Sequence, residues 1–101
     1  MIDESDRIDI IAKNPRGIIE IIAFDTRKWS EIPNAKNLVQ EKFRTYKKFV
    51  ESESFINQYS INKYQFVLIC PEKPPEEINS VLKKFNVLWK QSPDQPKFFV
   101  N

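Results

Sequence analysis

The stretch Arg7-Ile8-Asp9-Ile10-Ile11-Ala12-Lys13, then Asn14-Pro15-Arg16-Gly17, then Ile18-Ile19-Glu20-Ile21-Ile22-Ala23-Phe24-Asp25, decides the fold class. Residues 7–13 alternate, with Ile8, Ile10 and Ala12 on one side and Arg7, Asp9, Ile11 and Lys13 on the other, the period of a half-buried strand. Asn, Pro and Gly in the next four residues supply turn chemistry. Residues 18–25 are rich in β-branched side chains that suit a pleated surface. The two runs read as a hairpin. A two-residue turn at Pro15-Arg16 sets Asn14 opposite Gly17, and so Ile8, Ile10 and Ala12 opposite Ala23, Ile21 and Ile19. That apolar set is the face expected to lie under helices. The other face then carries Ile11, Ile18, Ile22 and Phe24 among Arg7, Asp9, Lys13 and Glu20.

Beyond the hairpin, Trp29 to Asn34 reads as a loop, with Asn34 after Pro33 as a helix cap. From Ala35 to about Glu53 the period becomes helical: Ala35, Val39, Phe43, Tyr46 and Val50 form a stripe widened by Leu38 and Phe49. Phe55, Ile56 and Tyr59 continue as a short irregular turn. Residues 64–70, Tyr-Gln-Phe-Val-Leu-Ile-Cys, are apolar on both sides, as a central strand should be. Pro74-Pro75-Glu76-Glu77 opens a second helix, with acids facing its dipole. Its stripe runs Ile78, Val81, Leu82, Phe85, Leu88 and Trp89, and Ser92-Pro93 ends it. Phe98-Phe99-Val100 is a candidate fourth, edge strand. The expected architecture is α+β: a two-layer sandwich of order ββαβα(β), with two helices on one face of a three- to four-stranded sheet.

Composition narrows the chemistry. The chain has 101 residues, 41% hydrophobic and 30% charged, with no Gly/Ser linker or repeat, so residues 1–101 read as a single domain. There is no histidine, which removes Ser-His-Asp and Cys-His catalysis and every His-containing metal site. One glycine is too few for a phosphate-binding loop or a dinucleotide fingerprint. No cofactor is implied. One cysteine cannot form an internal disulfide, and the acidic Met1–Asp6 segment is unlike a signal peptide, so a cytoplasmic setting without membrane contact is expected. Thirteen Ile against four Leu suggest an AT-rich, bacterial coding genome.

Asp25 followed by Trp29, then Leu38-Val39-Gln40-Glu41-Lys42-Phe43, Tyr46, Phe49-Val50-Glu51-Ser52 and Tyr59, then Pro74-Pro75-Glu76-Glu77, resembles a family of short bacterial proteins known as a domain of unknown function. In that family a hairpin ending in Asp and Trp leads into a Leu-x-Gln-Glu-Lys helix, and a strand ending in prolines precedes Glu-Glu. The resemblance spans nearly the whole chain. It implies a fold and a bacterial cytosolic setting, and it implies no activity.

Residues able to carry chemistry are few. Cys70 is the one thiol, and free cysteines are among the most buried residues, so a structural role is expected. The hairpin register sets Asp6 across from Asp25 at its open end, a candidate like-charge pair that reads more simply as two solvated acids. Lys42 falls inside the first helix stripe, where snorkelling is the plain explanation. Lys36, Arg44, Lys47 and Lys48 form a basic helix face that could contact nucleic acid, but Glu41 and Glu51 dilute it and no aromatic side chain interleaves. Trp89 belongs to the core, and Trp29 either covers the core edge or anchors a partner.

The expected function is therefore a non-catalytic protein-interaction module, an accessory or immunity-type protein, and not an enzyme; weak nucleic-acid binding is the alternative. The interface expected is the sheet face away from the helices, Ile11, Ile18, Ile22 and Phe24 with Trp29 at its border. A protein partner, most simply a second copy in a homodimer, would cover it. Cover by the Phe98-Phe99-Val100 tail is the other way to bury it.

Overall fold

A computed structural model of the chain describes residues 1–59 and 63–92. The hairpin forms as β1 (Ile10–Lys13) and β2 (Ile19–Phe24), but its register differs by one residue from the expected one. Gly17 is the cause. It adopts φ +81° and donates to the Asn14 carbonyl at 2.9 Å, while the Asn14 N–H donates to the Ile18 carbonyl at 2.9 Å. The turn is thus a type I turn closed by a glycine bulge, which inserts one extra residue into β2. Asn14 is opposite Ile18 instead of Gly17, and its side-chain Oδ1 accepts from the Arg16 and Ile18 N–H groups.

A one-residue slip exchanges the faces of β1 relative to β2. Ile11 and Lys13 therefore share a face with Ile21 and Ile19, whereas Ile10 and Ala12 share the opposite face with Ile22 and Glu20. Within β2 the expected alternation holds: Ile19, Ile21 and Ala23 are buried under the helices.

After a 3-10 turn at Trp29–Glu31, helix α1 runs Ala35–Val50. Asn34 stands at its N-cap position, but with φ 59° it makes no side-chain bond to the helix backbone; its Oδ1 accepts instead from Asn37 Nδ2. The expected irregular turn after α1 is a helix of its own, α2 (Glu53–Tyr59). Ser52 separates the two, its hydroxyl donating to the Phe49 carbonyl and accepting from the Phe55 N–H as an N-cap does.

Strand β3 (Tyr64–Cys70) is central and parallel to β2. Helix α3 opens as expected but covers only Glu76–Lys84, and residues expected to extend it form β4 (Val87–Gln91). Asn86, at φ 57°, takes the left-handed position that ends helices after Lys83 and Lys84, and Val87-Leu88-Trp89 then suits a strand. The fourth strand is thus residues 87–91; Phe98-Phe99-Val100 lies outside the described residues. The sheet order is β1-β2-β3-β4, with β1 antiparallel and the other three parallel.

Both crossovers, β2–α1–α2–β3 and β3–α3–β4, advance in the same direction, so right-handed connections put all three helices on one face. Among the described residues the result is a two-layer α+β fold with three helices, where two were expected, over a four-stranded mixed sheet. The core is aromatic at its centre: the Phe43 ring lies 5.2 Å from Tyr46 and 6.0 Å from Phe66. Trp89 joins this core from β4, whereas Leu88, on the other face of the same strand, is 51% exposed.

Candidate interaction surface

Two ion pairs, one fully buried and one with a partly exposed arginine, fasten the segment before β1 onto this scaffold. Lys42, in the α1 stripe, does not snorkel: it is 0% exposed, and its ammonium donates to the carbonyls of Glu4 and Arg7 and to Asp9 Oδ1, each at 2.8 Å. All three ammonium donors are used. Asp9 Oδ2 accepts from the Phe24 N–H, and the Tyr46 hydroxyl donates to the Ile22 carbonyl while accepting from the Asp9 N–H. Burial raises the Tyr46 phenol well above its ordinary range, keeping it a neutral donor.

Asp25 is the second anchor, and its partner is Arg27, not Asp6. The Arg27 Nη2 and Nε donate to its two carboxylate oxygens at 2.8 and 3.0 Å, and the N–H groups of Arg27 and Ile2 donate as well. Burial alone would raise this carboxyl; the Arg27 side chain and the two backbone donors outweigh it and hold the carboxyl below its ordinary value. Sequence reading missed this pairing, although the Asp-x-Arg spacing was available, because nothing local shows that the Asp25 carboxylate is buried.

Cys70 is buried against Asp25 and Glu72; burial pushes its thiol up to about 11, and Sγ donates to the Glu72 carbonyl. At neutral pH such a thiol is protonated and a poor nucleophile. Among the described residues no cluster of His, Cys, Asp or Glu could hold a metal ion.

The helix face bearing Lys36, Arg44, Lys47 and Lys48 is exposed, and Arg44 pairs with Glu41 at 2.6 Å. Its neighbours Tyr46 and Phe49 turn inward, Phe49 stacking edge-on with Phe55. The face offers charge without a ring to stack on.

The sheet face opposite the helices is built differently. Strand pairing aligns Ile10, Ile22, Val67 and Leu88 in one row across all four strands. Phe24 and Ile69 sit in the next row, beside Lys90. The ends of the apolar row are open, Ile10 44% and Leu88 51% exposed, while Ile22 (8%) and Val67 (1%) are enclosed. Part of that enclosure is an ion pair: Glu20 lies one row before Val67 and Lys90 one row after, and their 3.6 Å contact passes over it. Toward the hairpin turn, Ile18, Arg16, Gln65 and Leu88 help line a recess of about 640 Å³.

Of the residues expected on this face, Ile18, Ile22 and Phe24 are there. Ile11 is not, since the glycine bulge turns it to the helix side; Ile10, Val67, Ile69 and Leu88 complete the surface. Trp29 is a cover for the core edge, held by its backbone N–H on Glu72 Oε1 and its indole N–H on the Glu72 carbonyl, both at 3.1 Å.

No described helix is long and apolar enough to cross a membrane. No curated protein and no solved structure matches the chain. A family model described as a family of unknown function, DUF6572, matches residues 1–92, and the chain belongs to that family.

Proposed function

We propose that this member of a family of unknown function is a non-catalytic interaction module of the bacterial cytoplasm, an accessory-type protein that pairs with a second copy of itself through the helix-free sheet face. The observation that carries this reading is the apolar row Ile10–Ile22–Val67–Leu88, open at both ends on the face the helices leave bare. A single free, buried thiol is at home in a reducing compartment.

A second copy is favoured by charge, and the size of the face sets how tightly it can bind. Glu20 and Lys90, joined within the chain by their 3.6 Å contact, leave the centre of the face without net charge, so a second copy meets no repulsion there. Four strands at about 4.8 Å spacing, with about six residues each at ~3.3 Å, give a face on the order of 400 Å² in plan. Two such faces stacked cover on the order of 800 Å², below the range of stable interfaces, so a weak, reversible pair is expected.

Light scattering across a dilution series tests this, on the full chain and on a chain ending at residue 92. A mass that doubles with concentration in both supports pairing of copies. A concentration-independent monomer that begins to associate only when residues 93–101 are removed would mean that the tail covers the face, and would overturn the proposal.

A further inference from the structure

We propose that the free edge of β1 is a strand-addition site for an acidic, extended peptide, a surface distinct from the sheet face. All four residues of β1 are exposed, and among the described residues β1 pairs on one side only, with β2. The Asn14 N–H bonds the Ile18 carbonyl, so alternation along an antiparallel ladder assigns the backbone groups of Ala12 and Ile10 to β2. The N–H and C=O groups of Ile11 and Lys13 therefore point outward, and none of the described residues pairs with them. An extended chain is the partner whose own backbone spacing matches such a row.

The same residues also present side chains to that partner. Ile11 and Lys13 face the helix side, where Ile11, Lys13, Ile19, Gln58 and Tyr59 line a recess of about 350 Å³ between β1 and α2. An added strand would drop alternate side chains into it, one apolar beside Ile11 and one acidic beside Lys13. The accessible charge on β1 and its turn is of a single sign, Lys13 and Arg16, because the neighbouring acid Asp9 is buried on Lys42.

That charge also argues against a second copy here. The antiparallel register that uses the outward groups of both Ile11 and Lys13 in each copy makes the two Lys13 side chains diagonal neighbours, where like charges repel. Basic residues on a free edge bar self-pairing while admitting an acidic strand.

The test uses two blocked pentapeptides, Thr-Glu-Thr-Val-Thr and Thr-Lys-Thr-Val-Thr, titrated into the labelled protein and read by backbone amide NMR. The acidic peptide should shift the amides of Ile11 and Lys13 and bind about fivefold more tightly than the basic one at low salt. Lys13→Glu should reverse that preference, with an unchanged spectrum elsewhere showing that the fold is kept. N-methylating the peptide on the edge facing β1 should abolish the shifts. The proposal is overturned if neither peptide moves those amides at millimolar concentration, if the N-methylated peptide acts like its parent, or if Lys13→Glu leaves the preference as it was.

Discussion

Replacing Lys42 by methionine tests how the segment before β1 is held. Methionine keeps the length and apolar stem of the side chain and removes three hydrogen bonds of 2.8 Å, one of them to the carboxylate of Asp9, whose side chain is 4% exposed. Two carbonyls lose their donor, and Asp9 keeps the Phe24 N–H and the N-terminal ammonium 3.7 Å away but loses its closest countercharge. Breaking a buried pair by removing one partner costs about 3–5 kcal/mol, against roughly 5–10 kcal/mol of stability for a chain of this length. The melting temperature should fall by roughly 15–30 °C. Urea unfolding followed by tryptophan fluorescence reads the loss directly. A double-mutant cycle with Asp9→Asn should recover about 2 kcal/mol of the summed losses, because the buried charge left with only the more distant N-terminal ammonium is then gone. A loss under about 1 kcal/mol for Lys42→Met would refute the reasoning, since it would mean that the ammonium finds water in the folded protein.

Four further outcomes follow from the two left-handed positions, the second anchor and the thiol. Gly17→Ala should cost about 1–2 kcal/mol in chemical denaturation, because φ +81° is strained for alanine, whereas Asn86→Gly should be neutral or stabilise by up to about 1 kcal/mol. The Asp25 carboxyl is held below its unfolded value, so its contribution is fully present above the unfolded pKa of about 4 and is lost as pH falls through the folded one; Asp25→Asn should flatten that acid limb of a stability-against-pH curve. The Cys70 thiol should react with an alkylating reagent at pH 8 only as fast as the protein opens, so conditions that slow unfolding should slow labelling in proportion.

The fold class was legible because local pattern is a strong signal: residues 7–13 alternate at two, residues 18–25 are β-branched and residues 35–50 repeat at 3.6, and strands Ile10–Lys13 and Ile19–Phe24 and helix Ala35–Val50 formed within them. Two local choices were harder to see. Asn-Pro-Arg-Gly fits both a two-residue turn and a type I turn with a glycine bulge, and the difference of one residue decides whether Ile11 or Ile10 faces the bare side. In residues 76–89, apolar spacing continues helically past Asn86, so periodicity alone reads Leu88 and Trp89 as helix; the left-handed Asn86 breaks it, and only Lys-Lys-Phe-Asn before Val-Leu-Trp hints at the stop. The buried charges were invisible for a different reason. A lysine in an apolar stripe is ordinarily a snorkelling one, and nothing local shows that two carbonyls and a carboxylate from residues 4–9 converge on Lys42.

The central claim is that copies of the chain meet through the helix-free sheet face. Isotope-filtered NMR on an equal mixture of methyl-labelled and unlabelled protein, at a concentration above the dissociation constant, tests it most directly. Intermolecular contacts should arise from the methyls of Ile10, Ile22, Ile69 and Leu88, and they should vanish in Leu88→Lys, a change at a 51% exposed position that should leave the fold intact. Contacts confined to other methyls, such as the exposed Ile56 on α2, or none at all from this face, would contradict it.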